Sequence, residues 1–286
     1  MFPIALCNEI LHPLPFAAQC KAAAALGYMG LEVAPFTLAE DPMRLSDAQA
    51  REFARIAGEH GLGITGLHWL LVAPAGLSMV SLDPALRRRT ADVMVRMTEL
   101  CALMGGKYLV HGSPKQRSVP PGESREATMD RARECLSAAA KAAQQAGVTY
   151  CIEPLSRKET DVLNTVAEAA QLVDEIASPA FKTMIDCSAA GQTEDMPVHA
   201  LIAKWLPTGK IGHVQVNDPN RRSPGQGELA FAPILAALRQ GAYQGVLAVE
   251  SFDYVPDGMG SAAYAIAYLR GVEQSMPLSS QSGAPT

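Results

Sequence analysis

The chain has 286 residues, of which 48% are hydrophobic and 19% are charged. A chain of this size can bury a large core, and it fits either two small domains or one barrel of alternating strands and helices. Its formal net charge of −5 argues against a nucleic-acid-binding surface, which would normally carry clustered lysine and arginine. We therefore expect no nucleic-acid partner.

The cysteines and the two ends of the chain lead to expectations about its location. The N-terminal stretch MFPIALCNEI has neither a basic leader nor a long apolar run, so we expect no signal peptide and no membrane span. The cysteines show no CxxC or other metal-binding spacing, and we predict that they are reduced core residues of a cytoplasmic protein. They are Cys7, Cys20, Cys101, Cys135, Cys151 and Cys187. Residues 277–286 are predicted to form a flexible tail.

Short apolar runs alternate with amphipathic helix patterns along the whole chain. Eight of the runs are predicted strands, at 4–7, 30–33, 64–68, 108–111, 149–153, 182–186, 211–216 and 245–250. The intervening segments include apolar stripes at helical spacing, as in residues 83–104 and 124–146. The rhythm continues without a linker, which favours one domain over two.

The predicted helices carry signals at both ends. Capping residues mark three of the starts: Ser46 with Gln49, Asp83 with Pro84, and Thr165 with Glu168. Glycines follow six of the helix patterns, and glycine suits the left-handed residue that ends a helix. They are Gly27, Gly61, Gly105, Gly147, Gly209 and Gly241.

Eight strand and helix alternations predict a single-domain (β/α)8 TIM barrel over residues 1–276. A doubly wound open sheet is the alternative, but the chain has no GxGxxG after the first strand and no P-loop. In a TIM barrel the chemistry belongs to the C-terminal ends of the strands. The residues at and just after the predicted strand ends are therefore the candidate site residues.

Polar or acidic side chains occupy all eight strand ends. They are Asn8 with Glu9, Glu32, His68 with Trp69, His111, Glu153, Asp186, Gln215 and Glu250. The seventh strand alternates so that Gln215 and Asn217 share a face, and it runs into a polar loop that contains Arg221. An edge strand with a solvated loop is the alternative interpretation of this stretch.

Three carboxylates at one barrel mouth would repel one another unless a cation lay among them. Glu153, Asp186 and Glu250 are these carboxylates, and Gln215 adds an amide oxygen. Oxygen ligands favour one divalent ion, Mn²⁺ first, with Mg²⁺ or Co²⁺ as alternatives. Four protein ligands leave about two octahedral positions, which suit a carbonyl and its neighbouring hydroxyl. That geometry points to an α-hydroxy ketone.

Four stretches resemble the xylose isomerase-like TIM-barrel family. They are CIEPLSRKE at 151–159, MIDC at 184–187, HVQVNDPNR at 213–221 with its PGQGELAF continuation, and AVES at 248–251. The resemblance is greatest to the sugar isomerases and epimerases that include hydroxypyruvate isomerase and the ketose 3-epimerases. It implies that Glu153, Asp186, Gln215 and Glu250 are metal ligands, and that Glu153 and Glu250 are also the acid/base pair.

The resemblance also bears on substrate contacts. Glu159 and Arg221 match positions that contact the substrate in the epimerases, whereas Ala189 stands where many relatives carry a histidine. His68 and Trp69 offer a hydrogen bond and an apolar wall. His111 and His213 are further candidates for binding the substrate, although His213 could equally be structural.

The loop GSPKQR at 112–117 follows the fourth strand. It brings Lys115 and Arg117 near the predicted mouth, where they could hold a phosphate or carboxylate of the substrate. A solvated loop is the preferred interpretation of this stretch.

The function that follows is proton transfer on a sugar. A metal-bound ketose would lose the proton beside its carbonyl to one glutamate, pass through an enediolate and regain a proton from the other. Epimerisation and aldose–ketose isomerisation use the same groups, so both stay open. The alternatives are a dehydratase of a keto-inositol or dehydroshikimate, an apurinic endonuclease, which the small number of histidines disfavours, and a non-catalytic sugar-binding or partner-binding barrel. The family resemblance also implies a homodimer or homotetramer.

Overall fold

A computed structural model gives the fold of residues 1–277, so all but the first residue of the predicted tail at 277–286 lies outside the described residues. Eight parallel strands close into a barrel in chain order. They are β1 (Ile4–Cys7), β2 (Gly30–Val33), β3 (Gly63–Leu67), β4 (Tyr108–His111), β5 (Thr149–Ile152), β6 (Phe181–Asp186), β7 (Ile211–Val216) and β8 (Leu247–Val249). The predicted barrel is confirmed, and the open sheet is excluded because β8 pairs with β1. An edge position for β7 is also wrong, since it pairs with β6 and β8.

Nine α-helices surround the barrel in the described part of the chain. They are α1 (Phe16–Leu26), α2 (Asp47–Glu59), α3 (Pro84–Leu103), α4 (Arg125–Ala146), α5 (Val166–Ile176), α6 (Cys187–Thr193), α7 (Val198–Trp205), α8 (Phe231–Gln240) and α9 (Gly258–Ser275). Two of them, α6 and α7, lie between β6 and β7, where the rhythm of the sequence indicates only one. The first of this pair begins directly at the barrel mouth, because the Asp186 carboxylate caps it by accepting the Ala189 N–H.

The predicted helix signals are largely confirmed. Both capping boxes form, with Gln49 and Glu168 each bonded back to the N-cap residue. Five of the six glycines have positive φ, but the prediction for Gly241 is wrong, because its φ is −76° and the left-handed residue is Ala242. A Cβ at 241 would meet the end of the Leu206 side chain, which would have to shift.

The hydrophobic core has two parts, a large cluster between the strands and the helices and a smaller cluster inside the barrel. The inner cluster consists of Tyr108, Val110, Cys151 and Met184. Tyr108 reaches across the barrel, because its ring stacks on His213 of β7 at 3.9 Å. All six cysteines are buried and free, as predicted. No helix within residues 1–277 is long and apolar enough to cross a membrane.

Candidate active site

A pocket of about 430 Å³ opens at the C-terminal ends of the strands. Its walls come from the ends of β3, β4, β5 and β8 and from the loop after β7. Six of the predicted site residues line it, namely His68, Trp69, Glu153, Glu159, Arg221 and Glu250. The fold therefore brings together side chains from positions 68 to 250 of the sequence, each from a strand end or from the loop that follows it.

Three carboxylates form a cluster beside this pocket. Glu153 follows β5, Asp186 ends β6 and Glu250 follows β8, and one oxygen from each lies within 4.8 Å of the other two. All three side chains are buried. Burial, followed by the charge of Glu250, raises the pKa of Asp186 to about 8. Burial and the charges of Glu250 and Asp186 likewise raise the pKa of Glu153 well above its ordinary value. The cluster is thus unfavourable when fully ionised, unless a cation lies within it.

Gln215 adds an oxygen to this cluster. It lies opposite Asp186 in the pairing of β6 with β7 and is fully buried. Its Nε2 donates to Glu32 Oε1 at 2.7 Å, which leaves Gln215 Oε1 as a buried oxygen without a hydrogen-bond partner among the described residues. Three carboxylates and a free amide oxygen form the all-oxygen ligand set that a hard divalent cation prefers. These four residues could therefore hold a metal ion.

Asp186 is held in place by two donors. Its Oδ1 accepts the Ala189 N–H at 2.6 Å, and its Oδ2 accepts Asn217 Nδ2 at 2.7 Å. Sequence reasoning placed Asn217 on the same face as Gln215 but gave it no role. The two-residue period of a strand is the signal that could have found it, since Asn217 shares a face with Gln215, the residue that lies opposite Asp186 in the strand pairing.

Glu32 lies below the pocket and contacts several of the side chains that surround it. It is fully buried, and its Oε1 accepts from Gln215 Nε2 at 2.7 Å. Its Oε2 accepts from the Tyr108 hydroxyl at 2.7 Å and lies 2.9 Å from His213 Nε2. Burial alone would raise the pKa of Glu32, but its interactions with His213, His68 and Tyr108 lower that pKa to about 2. His213 does not line the pocket, and it contacts Glu32 below it.

His68 and Trp69 contact a carboxylate directly. His68 Nδ1 lies 3.2 Å from Glu250 Oε1, and Trp69 Nε1 donates to the same oxygen at 3.0 Å. The other ring nitrogen of His68 is 2.9 Å from Glu9 Oε2. Burial alone would lower the pKa of His68, but the carboxylates of Glu9, Glu250 and Glu32 raise it well above its ordinary value. Trp69 has a φ of 54°, a backbone conformation that is uncommon for a bulky residue and recurs at functional sites.

Glu159 and Arg221 lie together at the entrance to the pocket. Arg221 Nη1 is 3.6 Å from Glu159 Oε1, and the guanidinium carbon lies 4.4 Å from the centre of the Phe252 ring. Ser156 holds the other Glu159 oxygen through its hydroxyl at 2.7 Å. The Arg221 side chain is about half exposed, at 49%. A small polar molecule entering the pocket would therefore meet both side chains.

The loop at 112–117 differs from the solvated loop that we predicted. Lys115 is exposed, but Arg117 is fully buried, and its Nη2 donates to the carbonyl oxygen of Glu153 at 2.8 Å. A 3-10 turn over Pro114–Gln116 redirects the chain, so that Arg117 points inward. His111 does not line the pocket either, and its Nδ1 lies 2.7 Å from the Tyr150 hydroxyl. Burial, together with the charge of Arg117, lowers the pKa of His111 to about 3.

Gly112 lies against the Glu153 carboxylate. A Cβ at this position would collide with Glu153 Oε2, so we expect Gly112→Ala to displace that carboxylate. Because disturbing the support of a ligand typically costs 10- to 100-fold in metal affinity, titration calorimetry with Mn²⁺ should show a loss of about that size. Gly63→Ala is the matched control, since its Cβ would meet open space. Equal Mn²⁺ affinity in the two variants would contradict the prediction.

The raised carboxylate pKa values predict an unusual pH dependence of stability in the metal-free protein. Asp186 has an ordinary pKa of 3.8 and a folded-state pKa of about 8, so the folded protein binds this proton more tightly than the unfolded chain does. Its contribution to stability is present below about pH 4 and is lost as the pH rises to about 8. In EDTA we expect the Tm to fall between pH 5.5 and 8.5, with a smaller fall in Asp186→Asn. Added Mn²⁺ should raise the Tm more at pH 8.5, and a larger gain at pH 5.5 would contradict this account.

Comparison with known proteins shows the family to which the chain belongs. Residues 20–272 match the family model of the xylose isomerase-like TIM barrel. A D-psicose 3-epimerase from Enterocloster bolteae is 30% identical over 230 residues, which is 80% of this chain and 74% of that protein. An L-ribulose 3-epimerase from Methylomonas sp. is 24% identical over 230 residues, covering 80% and 76% of the two chains. A crystal structure of D-psicose 3-epimerase in the presence of D-fructose superposes with a TM-score of 0.79 at 22% identity, covering 95% of this chain and 99% of the other. The resemblance predicted from sequence is confirmed, and the chain belongs to the xylose isomerase-like TIM-barrel family.

Proposed function

We propose that the protein is a divalent-metal-dependent sugar epimerase that inverts the carbon beside the carbonyl of a ketose. The observation that carries this proposal is the pair Glu153 and Glu250, which line one pocket and whose carboxylate oxygens lie within 4.8 Å of each other. The similarity to ketose 3-epimerases supports the substrate class and agrees with the predicted isomerase class. Aldose–ketose isomerisation would use the same pair, and the NMR spectra of the experiment below would show it as an aldose product.

The proposed metal site consists of Glu153, Asp186, Gln215 and Glu250. A divalent cation bound there would polarise the substrate carbonyl and stabilise the negative charge that develops on its oxygen. Mn²⁺ is the first candidate, with Mg²⁺ and Co²⁺ next, because the ligand set contains neither thiolate nor imidazole. Asn217 and Glu32 would support this site by fixing the orientations of Asp186 and Gln215.

Each of the two glutamates would transfer one proton. Glu153 removes the proton from the carbon beside the carbonyl, which gives an enediolate, and Glu250 delivers a proton to the opposite face of the same carbon. Delivery to the neighbouring carbon would instead exchange ketose for aldose. Trp69 and Phe252 supply an apolar wall that excludes water, while Glu159 and Arg221 at the entrance bind hydroxyl groups of the sugar.

The deciding experiment combines metal analysis with proton exchange. The metal content of the purified protein is measured first, and the Mn²⁺-loaded protein is then incubated with D-psicose, D-fructose and L-ribulose in D₂O. We expect deuterium at the carbon beside the carbonyl, together with formation of the epimer, both followed by NMR. A product with enone absorbance would identify a dehydratase instead. Bound metal without exchange in any ketose would overturn the proposed function, and a protein that binds no metal would overturn the proposed site.

We place the enzyme in the cytoplasm as part of this proposal. It would be a homodimer or homotetramer, and it would have no nucleic-acid or membrane partner. Six buried free cysteines support a reducing compartment. Light scattering of the purified protein would give the number of subunits. A monomer would contradict this part of the proposal without affecting the chemistry of the pocket.

A further inference from the structure

A chain of three buried side chains runs along one side of the pocket. Glu9 lies in the 3-10 turn Asn8–Leu11, which follows β1, and Glu250 follows β8, the strand that pairs with β1. His68, just after β3, lies between the two carboxylates, with its nitrogens 2.9 Å from Glu9 Oε2 and 3.2 Å from Glu250 Oε1. His68 is 1% exposed, so its ring has no contact with bulk water. The nearest charged groups to its two nitrogens are therefore the carboxylates of Glu9 and Glu250.

The two proposed acid/base residues differ in how firmly they are held. Glu250 Oε1 accepts from both His68 and Trp69, which leaves Oε2 as the oxygen without a side-chain donor. Within residues 1–277, no side chain donates a hydrogen bond to the Glu153 carboxylate, whose immediate neighbour is Gly112. A glutamate side chain has several rotatable bonds, and two donors on one oxygen remove most of that freedom. The orientation of Glu250 is thus fixed by the protein in a way that the orientation of Glu153 is not.

We propose that Glu9 and His68 are positioning residues that hold Glu250 in its proton-transfer orientation. This inference rests on the proposed function. The Glu9 carboxylate lies 2.9 Å from one ring nitrogen of His68 and so restrains the ring from one side, while the other ring nitrogen lies within hydrogen-bond distance of Glu250 Oε1 at 3.2 Å. Since a misplacement of about 1 Å at a reacting group can cost about 10²-fold in rate, this support has a measurable effect on catalysis.

The same side chains could serve a different purpose. One ligand atom from each of Cys7, Glu9, His68 and Glu250 lies within 4.8 Å of the others, so a second metal ion is the competing explanation. The short contacts of His68 with both carboxylates favour the positioning role, because each ring nitrogen already lies within 3.2 Å of a carboxylate oxygen. Metal analysis separates the two. Positioning requires the same metal content in the wild type and in His68→Leu, whereas a loss of one ion per chain would overturn it.

The test measures deuterium uptake separately from each of the two epimers of a substrate pair in the Mn²⁺-loaded protein. If the glutamates act on opposite faces, each epimer loses its proton to only one of them. In His68→Leu, we expect deuterium uptake from the epimer whose proton faces Glu250 to fall about 10²-fold, and net epimerisation to fall with it. The epimer whose proton faces Glu153 should exchange at close to the wild-type rate. His68→Asn keeps an N–H at the place of Nδ1 and should restore most of the lost rate. Glu9→Gln should give an intermediate loss confined to the same epimer.

Three controls keep the outcome interpretable. Thr98→Val removes a buried hydroxyl in α3 away from the pocket, and it should slow neither epimer selectively. The Tm of every variant shows whether the fold survives. Equal slowing of both epimers in His68→Leu, or no slowing at all, would overturn the positioning role. Failure of the proposed function is distinguishable, because the metal-loaded wild type would then exchange neither epimer.

Discussion

Replacing Glu153 with glutamine should lower the rate of epimerisation by about 10²- to 10⁴-fold, the range that a general acid or base contributes. Glutamine keeps the size of the side chain and one oxygen for a metal, but it cannot accept the proton. The variant should therefore bind Mn²⁺ more weakly, because a ligand charge is lost, but should still be loaded at saturating Mn²⁺, while deuterium uptake disappears for the epimer whose proton faces Glu153. Calorimetry and NMR in D₂O measure the two quantities on one sample.

Glu250→Gln is the matched variant for this experiment. It should abolish uptake from the opposite epimer, because the second glutamate faces the other side of the sugar in the proposed mechanism. Glu134→Gln, at an exposed glutamate far from the pocket, should change neither rate. Full turnover by Glu153→Gln with metal bound would refute its assignment as an acid/base residue.

We expect removal of the metal to abolish turnover and added Mn²⁺ to restore it. Asp186→Asn should weaken Mn²⁺ binding by more than about 100-fold, beyond the 10- to 100-fold loss that is typical when only a supporting residue is removed. There are two physical reasons. The change removes a negative charge from the metal site, and it replaces one of the two oxygens that accept from Ala189 and Asn217 with an NH₂ group, which cannot accept. Titration calorimetry and turnover after EDTA treatment measure both effects.

Asn217→Ala provides the graded comparison for this variant. It leaves the Asp186 carboxylate intact and removes only the donor to Oδ2, so its loss of affinity should fall within the 10- to 100-fold range. Turnover by a protein from which metal analysis detects no bound ion would contradict the proposed role of the cluster.

The sequence predicts the barrel well because each unit of a (β/α)8 fold is local. A strand of four to six residues, a capping residue and a helical stripe all lie within about forty positions, so periodicity can identify them. The strand ends then follow, and with them Glu153, Asp186 and Glu250, because parallel strands of one barrel deliver their last residues to the same mouth.

Contacts across the barrel are what local patterns cannot predict. His68 and Trp69 were expected to face a sugar, and both contact Glu250, which lies more than 180 residues further along the chain. The hydroxyl of Tyr108 reaches Glu32 from the start of β4, a position that carries no signal of function. Arg117 was predicted to be solvated because arginine in a polar loop usually is. Its buried guanidinium donates to the carbonyl oxygen of Glu153, just after β5, and no sequence pattern reveals that contact.

The position of Trp69 also gives the protein an internal optical probe. The chain contains only two tryptophans, and the indole of Trp69 donates to Glu250 at 3.0 Å while the other, Trp205, ends α7. The substitution Trp205→Phe would leave Trp69, beside the carboxylate cluster, as the single tryptophan of the chain. Its fluorescence would respond to a paramagnetic ion or a sugar entering the pocket, so occupancy could be followed in real time without a label, a coupled assay or knowledge of the product.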